Sequence, residues 1–323
     1  MISNVSRRSL LALGAGLGAS SMLGGSALAR APKQGTQAAY FYRFGLGDAE
    51  VTVVSDGPLP LGPPKGTFIG VPDDEVKKML SDNFLSPDDV VLEQNSPIVN
   101  MNDKLILFDT GMGTAKNFGP TTGRQQKSMK EAGIKPEDID AVVLSHAHID
   151  HIGGIVDESG KVLFPNAQYY IAQSDFDFWT DEGKANGPLK DFVVHARKNL
   201  LPVRDRLVFF KDGQEFLPGV QALSAPGHTV GHSIFMVSSA GKSFVFMGDL
   251  THHPILLLEK PRMQFSYDTD PAQAAETRVK MLGMIAANKI PVMSYHFAWP
   301  GYGHIAKTAE GFHYYPEAMN MNL

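Results

Sequence analysis

The sequence predicts an α/β sandwich in which two sheets are each covered by helices. Three observations lead there. Apolar runs of strand length come in pairs, with helical stretches between them, and the pairs fall into two halves. The strict strand–helix–strand alternation of a doubly wound sheet is absent. Five of the apolar runs end at, or just before, a histidine or an aspartate.

Tyr40–Phe44 and Glu50–Val54 read as strands, the second closing at Asp56-Gly57-Pro58. Residues 57–72 are rich in proline and glycine and read as a surface loop. Asp73–Leu80 reads as a short helix with acids in its first turn. Pro97–Met101 and Lys104–Phe108 flank Asn102-Asp103, a hairpin signal, and the second run ends at Asp109-Thr110-Gly111. Arg124–Ala132 suits a helix, Ala141–Leu144 a buried strand, Gln168–Ala172 a strand and Leu189–Leu200 a helix. Leu207–Phe210 and Val220–Leu223 follow as strands. Ser233–Val237 and Ser243–Met247 make a second hairpin around Ala240-Gly241. Pro271–Asn288 is a helix with Asp270 as its cap and proline at its first position, and Val292–Tyr295 is the last inner strand. No glycine-rich phosphate loop and no G-x-S-x-G elbow is present.

The chain has 323 residues, so length alone leaves room for two domains. Its amino terminus does not read as part of the fold. Residues 1–29 hold no acid and two bases, Arg7 and Arg8, followed by Ser9-Leu10-Leu11, a Gly/Ala/Leu run and Ala27-Leu28-Ala29. Charged start, apolar middle and A-x-A-like end are the parts of a cleaved export signal. The paired arginines resemble a twin-arginine signal, which implies export to the periplasm. The many Gly and Ser residues make the run weakly apolar for a spanning helix, so no stable membrane span is expected after processing. Residues 30–39 read as a flexible leader and 40–323 as a single domain.

Composition narrows the chemistry. A hydrophobic share of 43% rules out disorder. With 29 basic and 34 acidic residues the chain is acidic, so it lacks the basic footprint of a nucleic-acid binder. There is no cysteine, which removes disulfides, thiol nucleophiles and cysteine-ligated zinc. Polar chemistry falls to aspartate, glutamate and 11 histidines.

The histidines are not scattered. Ser145-His146-Ala147-His148-Ile149-Asp150-His151 directly follows the apolar strand at 141–144. In an extended segment His146 and His148 point the same way, so two imidazoles meet one cation. Asp150 and His151 fall where the chain turns and face a second ion beside it. Three histidines and an aspartate within six residues, closing a buried strand, are hard to explain as packing. His228, Asp249, His296 and Asp109 repeat the theme, each closing another apolar run. His232, His304 and His313 read as structural, and His195 has no assignable role.

Together, His146-x-His148-x-Asp150-His151, then His228, Asp249 and His296, resemble the metallo-β-lactamase superfamily over residues 40–318. The resemblance implies its four-layer αββα sandwich. It also implies two metals, the first held by His146, His148 and His228, the second by Asp150, His151 and His296, with Asp249 bridging and Asp109 orienting a ligand histidine. An all-nitrogen and oxygen donor set suits zinc, with iron, manganese or cobalt as alternatives. The activity implied is metal-assisted hydrolysis, with a hydroxide between the metals as nucleophile and Asp150 carrying the proton to the leaving group.

Several branches of the superfamily fit less well. The oxygen-reducing branch has a carboxylate where this chain has His148. Cysteine-ligated lactamases are excluded by composition. Nuclease members carry an added domain and a basic surface. Glyoxalase II shares Gly227-His228-Thr229-x-Gly231-His232 but holds glutathione with bases near its end, and this chain has none after residue 308.

Asp109-Thr110-Gly111, Asp177-Phe178-Trp179, Gly248-Asp249-Leu250 and Pro300-Gly301-x-Gly303-His304-Ile305 resemble the exported lactonase and methyl-parathion-hydrolase-like branch. That branch lines its pocket with aromatics, which points to Phe118, Trp179 and Phe192, although Trp179 also fits ordinary helix packing. His252-His253, three and four residues after Asp249, stand where organophosphate specialists are apolar, and they fit either a polar lip or a solvated turn. The expected activity is therefore a lactonase or arylesterase acting on a small hydrophobic or aromatic substrate, with phosphotriesterase side activity. A dedicated phosphotriesterase and a non-catalytic metal-binding protein are the alternatives. The resemblance also implies a homodimer.

Overall fold

Two seven-stranded sheets stack face to face, and the strand pairs read from the sequence are their frame. The computed structural model describes Lys33, Gly35 and residues 37–320; the export signal expected at 1–29 lies outside the described residues.

The first half contains β1 (Phe41–Leu46), β2 (Ala49–Ser55), β3 (Leu59–Gly62), β4 (Phe68–Ile69), α1 (Asp73–Asp82) and β5 (Val90–Leu92). It continues with β6 (Asn95–Met101), β7 (Lys104–Phe108), α2 (Gln125–Glu131), β8 (Ala141–Val143), α3 (Ile149–Ile152), β9 (Gln168–Ala172), α4 (Gln173–Thr180), α5 (Lys190–Leu200) and β10 (Leu207–Phe210). The second half contains β11 (Glu215–Leu217), β12 (Val220–Ser224), β13 (Ser233–Ser239), β14 (Lys242–Phe246), α6 (Leu256–Glu259), β15 (Gln264–Phe265), α7 (Pro271–Ala287), β16 (Val292–Met293), β17 (Tyr302–Lys307) and β18 (Phe312–Pro316).

The first sheet runs β1-β2-β6-β7-β8-β9-β10 and the second β11-β12-β13-β14-β16-β17-β18. Three apolar clusters define four layers. Val142, Tyr169 and Ile171 of the first sheet pack outward on Met129 of α2, Phe176 and Trp179 of α4 and Val193 of α5. Between the sheets, Val51, Val99, Phe108 and Val143 meet Phe235, Phe244 and Phe246. Behind the second sheet, Ile234, Val245 and Val292 pack on Leu282 and Ile285 of α7. This is the four-layer αββα sandwich that the sequence predicts.

Strand direction places the site. β7 and β8 are parallel, and so are β14 and β16. β12 runs the same way as β14, because both are antiparallel to β13. The carboxyl ends of these inner strands therefore open on one edge of the sandwich, where α/β sheets place their ligands.

One expectation is corrected. Residues 57–72 are not a surface loop but hold β3 and β4. Leu59 and Phe68 are each only 2% exposed, packed with Val76, Leu80, Val90 and Leu92 in an apolar cluster. Proline and glycine mark turns, but the Leu and Phe between them are drawn under by burial. The edge pair β17–β18 and helix α4 were also not read from the sequence.

Candidate metal centre

Each candidate donor sits just past the end of an inner strand. After β8 the chain stays extended through His148 (φ −75°, ψ 153°) and then turns once as α3, which carries Asp150 and His151. His228 follows β12, Asp249 follows β14, and His296 follows β16. Gly248, at φ +45°, makes the turn into Asp249; a Cβ there would lie 2.9 Å from both His232 Nε2 and Ser145 Cβ.

These side chains converge into two groups, His146, His148, His228 and Asp249, and Asp150, His151, Asp249 and His296, with donor atoms inside each group within 4.8 Å of one another. Asp249 serves both. Its Oδ2 lies 3.1 Å from His228 Nε2 and 3.7 Å from His146 Nε2. Its Oδ1 lies 3.1 Å from His151 Nε2 and 3.3 Å from His296 Nε2. Asp150 Oδ2 is 3.4 Å from His151 Nε2 and 3.5 Å from His296 Nε2.

The donor chemistry fits a pair of cations. His151 Nδ1 faces Asp109 Oδ2 at 2.8 Å, His228 Nδ1 faces Asp268 Oδ1 at 2.8 Å, and His296 Nδ1 faces the Glu93 carbonyl at 2.8 Å. Each partner accepts, so each Nδ1 carries the proton and each Nε2 presents a lone pair. His146 Nδ1 likewise meets Ser145 Oγ at 3.0 Å, whose own hydroxyl donates to Asp109. The Nε2 atoms of His146 and His228 lie 3.1 Å apart. His151 Nε2 and Asp249 Oδ1 are buried with no hydrogen-bond partner. Buried lone pairs gathered without donors repel, and a cation between them removes that cost.

The charges agree. Burial alone would raise Asp249, but His151, His296 and His252 more than offset it and hold the carboxyl well below its usual range. Burial and the neighbouring imidazoles push His146 and His148 down, which keeps them neutral. Burial also lowers His228, yet Asp249 and Asp268 outweigh it and bring this imidazole up to about 9, the direction expected where two carboxylates favour positive charge.

The pocket above the donors has an apolar wall of Leu59, Leu61, Leu92, Phe118, Phe265 and Tyr267. Phe118 and Phe192 both line it, as does His252. Trp179 does not, which corrects its expected place. It is 1% exposed and backs the His148 ring at 5.1 Å, because α4 turns this face into the core. His252 is no solvated turn either. It is 2% exposed, donates from Nε2 to Asp249 Oδ2 at 2.9 Å and stacks on Phe265 at 4.1 Å. His253 accepts the Ile255 and Leu256 N–H groups and so starts α6. His232 bonds the Ala225 carbonyl and accepts the Asp249 N–H at 3.0 Å, so this histidine also fixes a donor.

Asp268 and Tyr295 escaped the sequence reading. Asp268 orients His228 and lies 3.6 Å from the buried Arg278, whose guanidinium also donates to the Leu250, Pro261 and Met263 carbonyls. The Tyr295 hydroxyl donates to the Asp150 carbonyl at 2.6 Å. Asp268 stands beyond any motif, and Tyr295 looked like the last apolar residue of a strand.

Comparison with known proteins places this geometry. Residues 90–289 match the metallo-beta-lactamase superfamily. A metallo-hydrolase, mfmC, of Annulohypoxylon moriforme is 28% identical over 187 residues, which is 50% of this chain and 48% of that one. An N-acyl homoserine lactonase of Bacillus cereus is 24% identical over 190 residues, 58% of this chain and 65% of that one. The chain thus spans about half to two thirds of these curated relatives. Among solved structures, AidC, a dizinc quorum-quenching lactonase, superposes with a TM-score of 0.82 at 32% identity, covering 88% of this chain and 99% of that one. The hydrolase AbOPH of the beta lactamase superfamily gives 0.81 at 28% identity, covering 88% and 100%.

Proposed function

The chain belongs to the metallo-beta-lactamase superfamily, and on that premise we propose that it is a metal-dependent hydrolase that opens hydrophobic or aromatic lactones and esters. One observation carries the reading. Two donor clusters that share Asp249 form the floor of a pocket whose walls are Leu59, Leu61, Leu92, Phe118 and Phe265. Relatives described as lactonases support the substrate class.

His146, His148, His228 and Asp249 would hold one divalent ion, and Asp150, His151, His296 and Asp249 the other, zinc being the best match to the donors. Such a pair supplies Lewis-acid polarisation of a carbonyl and activation of water near neutral pH. The protein's own groups do the rest. Asp249 splits its two oxygens between the clusters and so sets their spacing. Asp150 is the most exposed of the donors, at 9%, and lines the pocket. Its carboxylate is placed to take a proton from the attacking water and return it to the departing alkoxide. The leucine and phenylalanine walls exclude bulk water and receive the apolar part of the substrate.

His252 favours lactones and esters over neutral phosphotriesters, because a buried imidazole bonded to Asp249 adds polarity where a triester needs an apolar wall. Phosphotriester cleavage is expected as a weak side activity. The test is a panel of aryl lactones, aryl esters and phosphotriesters with zinc-loaded protein, alongside elemental analysis. Two metals per chain and a higher kcat/KM for the lactone than for the phosphotriester are expected. Absence of any lactone or ester hydrolysis would sink the proposal.

Export is part of the same proposal, resting on Arg7-Arg8 and Ala27-Leu28-Ala29. No helix among the described residues is long and apolar enough to cross a membrane. Replacing both arginines by lysine should leave the protein inside the cell, as read by fractionation; unchanged export would refute a twin-arginine route.

A further inference from the structure

The two donor clusters share Asp249 but are braced differently. On one side each member is held through its own group: His151 by Asp109, His296 by the Glu93 carbonyl, and Asp150 by the Tyr295 hydroxyl on its carbonyl. On the other side His146 meets Ser145 and His228 meets Asp268, but among the described residues the His148 ring makes no hydrogen bond and leans on Trp179 and Phe192. There one residue that touches no donor atom ties the two histidine segments together.

That residue is Asp175. Its Oδ2 accepts the Ala147 N–H at 2.7 Å, and Ala147 lies between His146 and His148. Its Oδ1 accepts the Gly231 N–H at 2.8 Å, three residues past His228. The carboxylate is fully buried. It is the third residue of α4, a position where an acid commonly serves its own helix end. Here both oxygens instead bind two segments that are distant in sequence. Gly231 shows how tight this junction is: a Cβ there would come 2.6 Å from the Asp175 nitrogen and 2.6 Å from Ser174 Oγ.

We propose that Asp175 is a positioning residue that sets the distance between the His146–His148 segment and the His228 segment, and through it the cation affinity of the three-histidine cluster. The Asp150–His151–His296 cluster, braced elsewhere, does not depend on it. The inference rests on the metal-hydrolase reading.

The test is Asp175→Asn, with metal content measured on dialysed protein and zinc affinity measured against a competing chelator. The amide keeps the shape but turns an NH2 group towards one of the two N–H donors. Zinc is expected to fall from two ions per chain to one. The affinity for the lost ion should drop by roughly 10–100-fold, the range typical of residues that orient metal ligands. Gly231→Ala pushes α4 away from the same loop while keeping the carboxylate, and it should lose the same ion; it decides the matter if Asp175→Asn does not fold. A merely structural role would lower the melting temperature and leave two zinc ions bound with unchanged affinity, and that result overturns the inference. A wild-type chain that binds no divalent metal overturns the hydrolase reading and this inference together.

Discussion

The floor of the pocket and its cap are built on opposite principles. The floor is polar and buried, and it is made of the segments that follow the inner strands. Nearly every donor there is tied down by a second polar group: His151 by Asp109, His228 by Asp268, Asp249 by His232. The cap is apolar. Two short ribbons, β3 with β5 and β4 with β15, together with α1 and α6, gather Phe68, Val76, Leu80, Leu256, Leu257 and Met263 into a cluster of their own. Residue identity therefore governs the floor, while shape and water exclusion govern the cap. Replacements in the floor should abolish function, and replacements in the cap should grade it.

The sharpest way to break this contrast is His148→Ala. It removes a donor from the three-histidine cluster and leaves His146, His228 and Asp249 there. The loss in kcat should exceed the roughly 10–100-fold cost of a residue that only orients a ligand, and elemental analysis should show less metal. Full activity in this variant would remove the floor from the chemistry altogether.

A middle effect is expected at Phe118, which joins the cap cluster and lines the pocket against Tyr267 at 6.0 Å. Phe118→Ala removes contact with the apolar part of the substrate but touches no donor. KM should rise by about tenfold for an aryl lactone, with kcat within a few-fold of wild type, because uniform binding is what is lost. Steady-state kinetics on aryl and short-chain lactones check this. A fall in kcat with KM unchanged would mean that the cap shares in the chemistry.

The same contrast explains what could be read from the sequence. His146, His148, His228 and Asp249 were legible because donors of one chemical kind closed apolar strands at set intervals, which few other constraints produce. The cap was not legible. Leu59 and Leu61 sit among prolines and glycines, and nothing local indicates that they meet Leu92 and Phe265 over the floor. Trp179 shows the same limit from the other side: its type suggested the pocket, and the direction of α4 put it behind His148. Asp175 and Asp268 were invisible for a third reason. A buried carboxylate that accepts N–H groups from other segments has the same local sequence as one in solvent.

The smallest effect is expected at Asp56, which joins the two regions. Its carboxylate accepts the Met112, Gly123 and Gln125 N–H groups, so it shapes the loop that carries Phe118 between floor and cap. Burial raises its pKa from 3.8 to about 6, even though these three donors pull it down. An acid raised in the folded state binds its proton more tightly there than in the unfolded chain. Its contribution to stability is thus complete below about pH 4 and is lost as pH rises through about 6, by about 3 kcal/mol for a change of this size. Asp56→Asn cannot titrate, and its amide mispairs with at least one N–H at every pH, costing about 1–3 kcal/mol. The stability gap between wild type and variant should therefore be widest near pH 4 and narrow towards pH 7 in denaturant unfolding of the metal-free proteins. A gap that stays constant across that range would mean that Asp56 is ionised throughout, and that its three N–H bonds outweigh its burial.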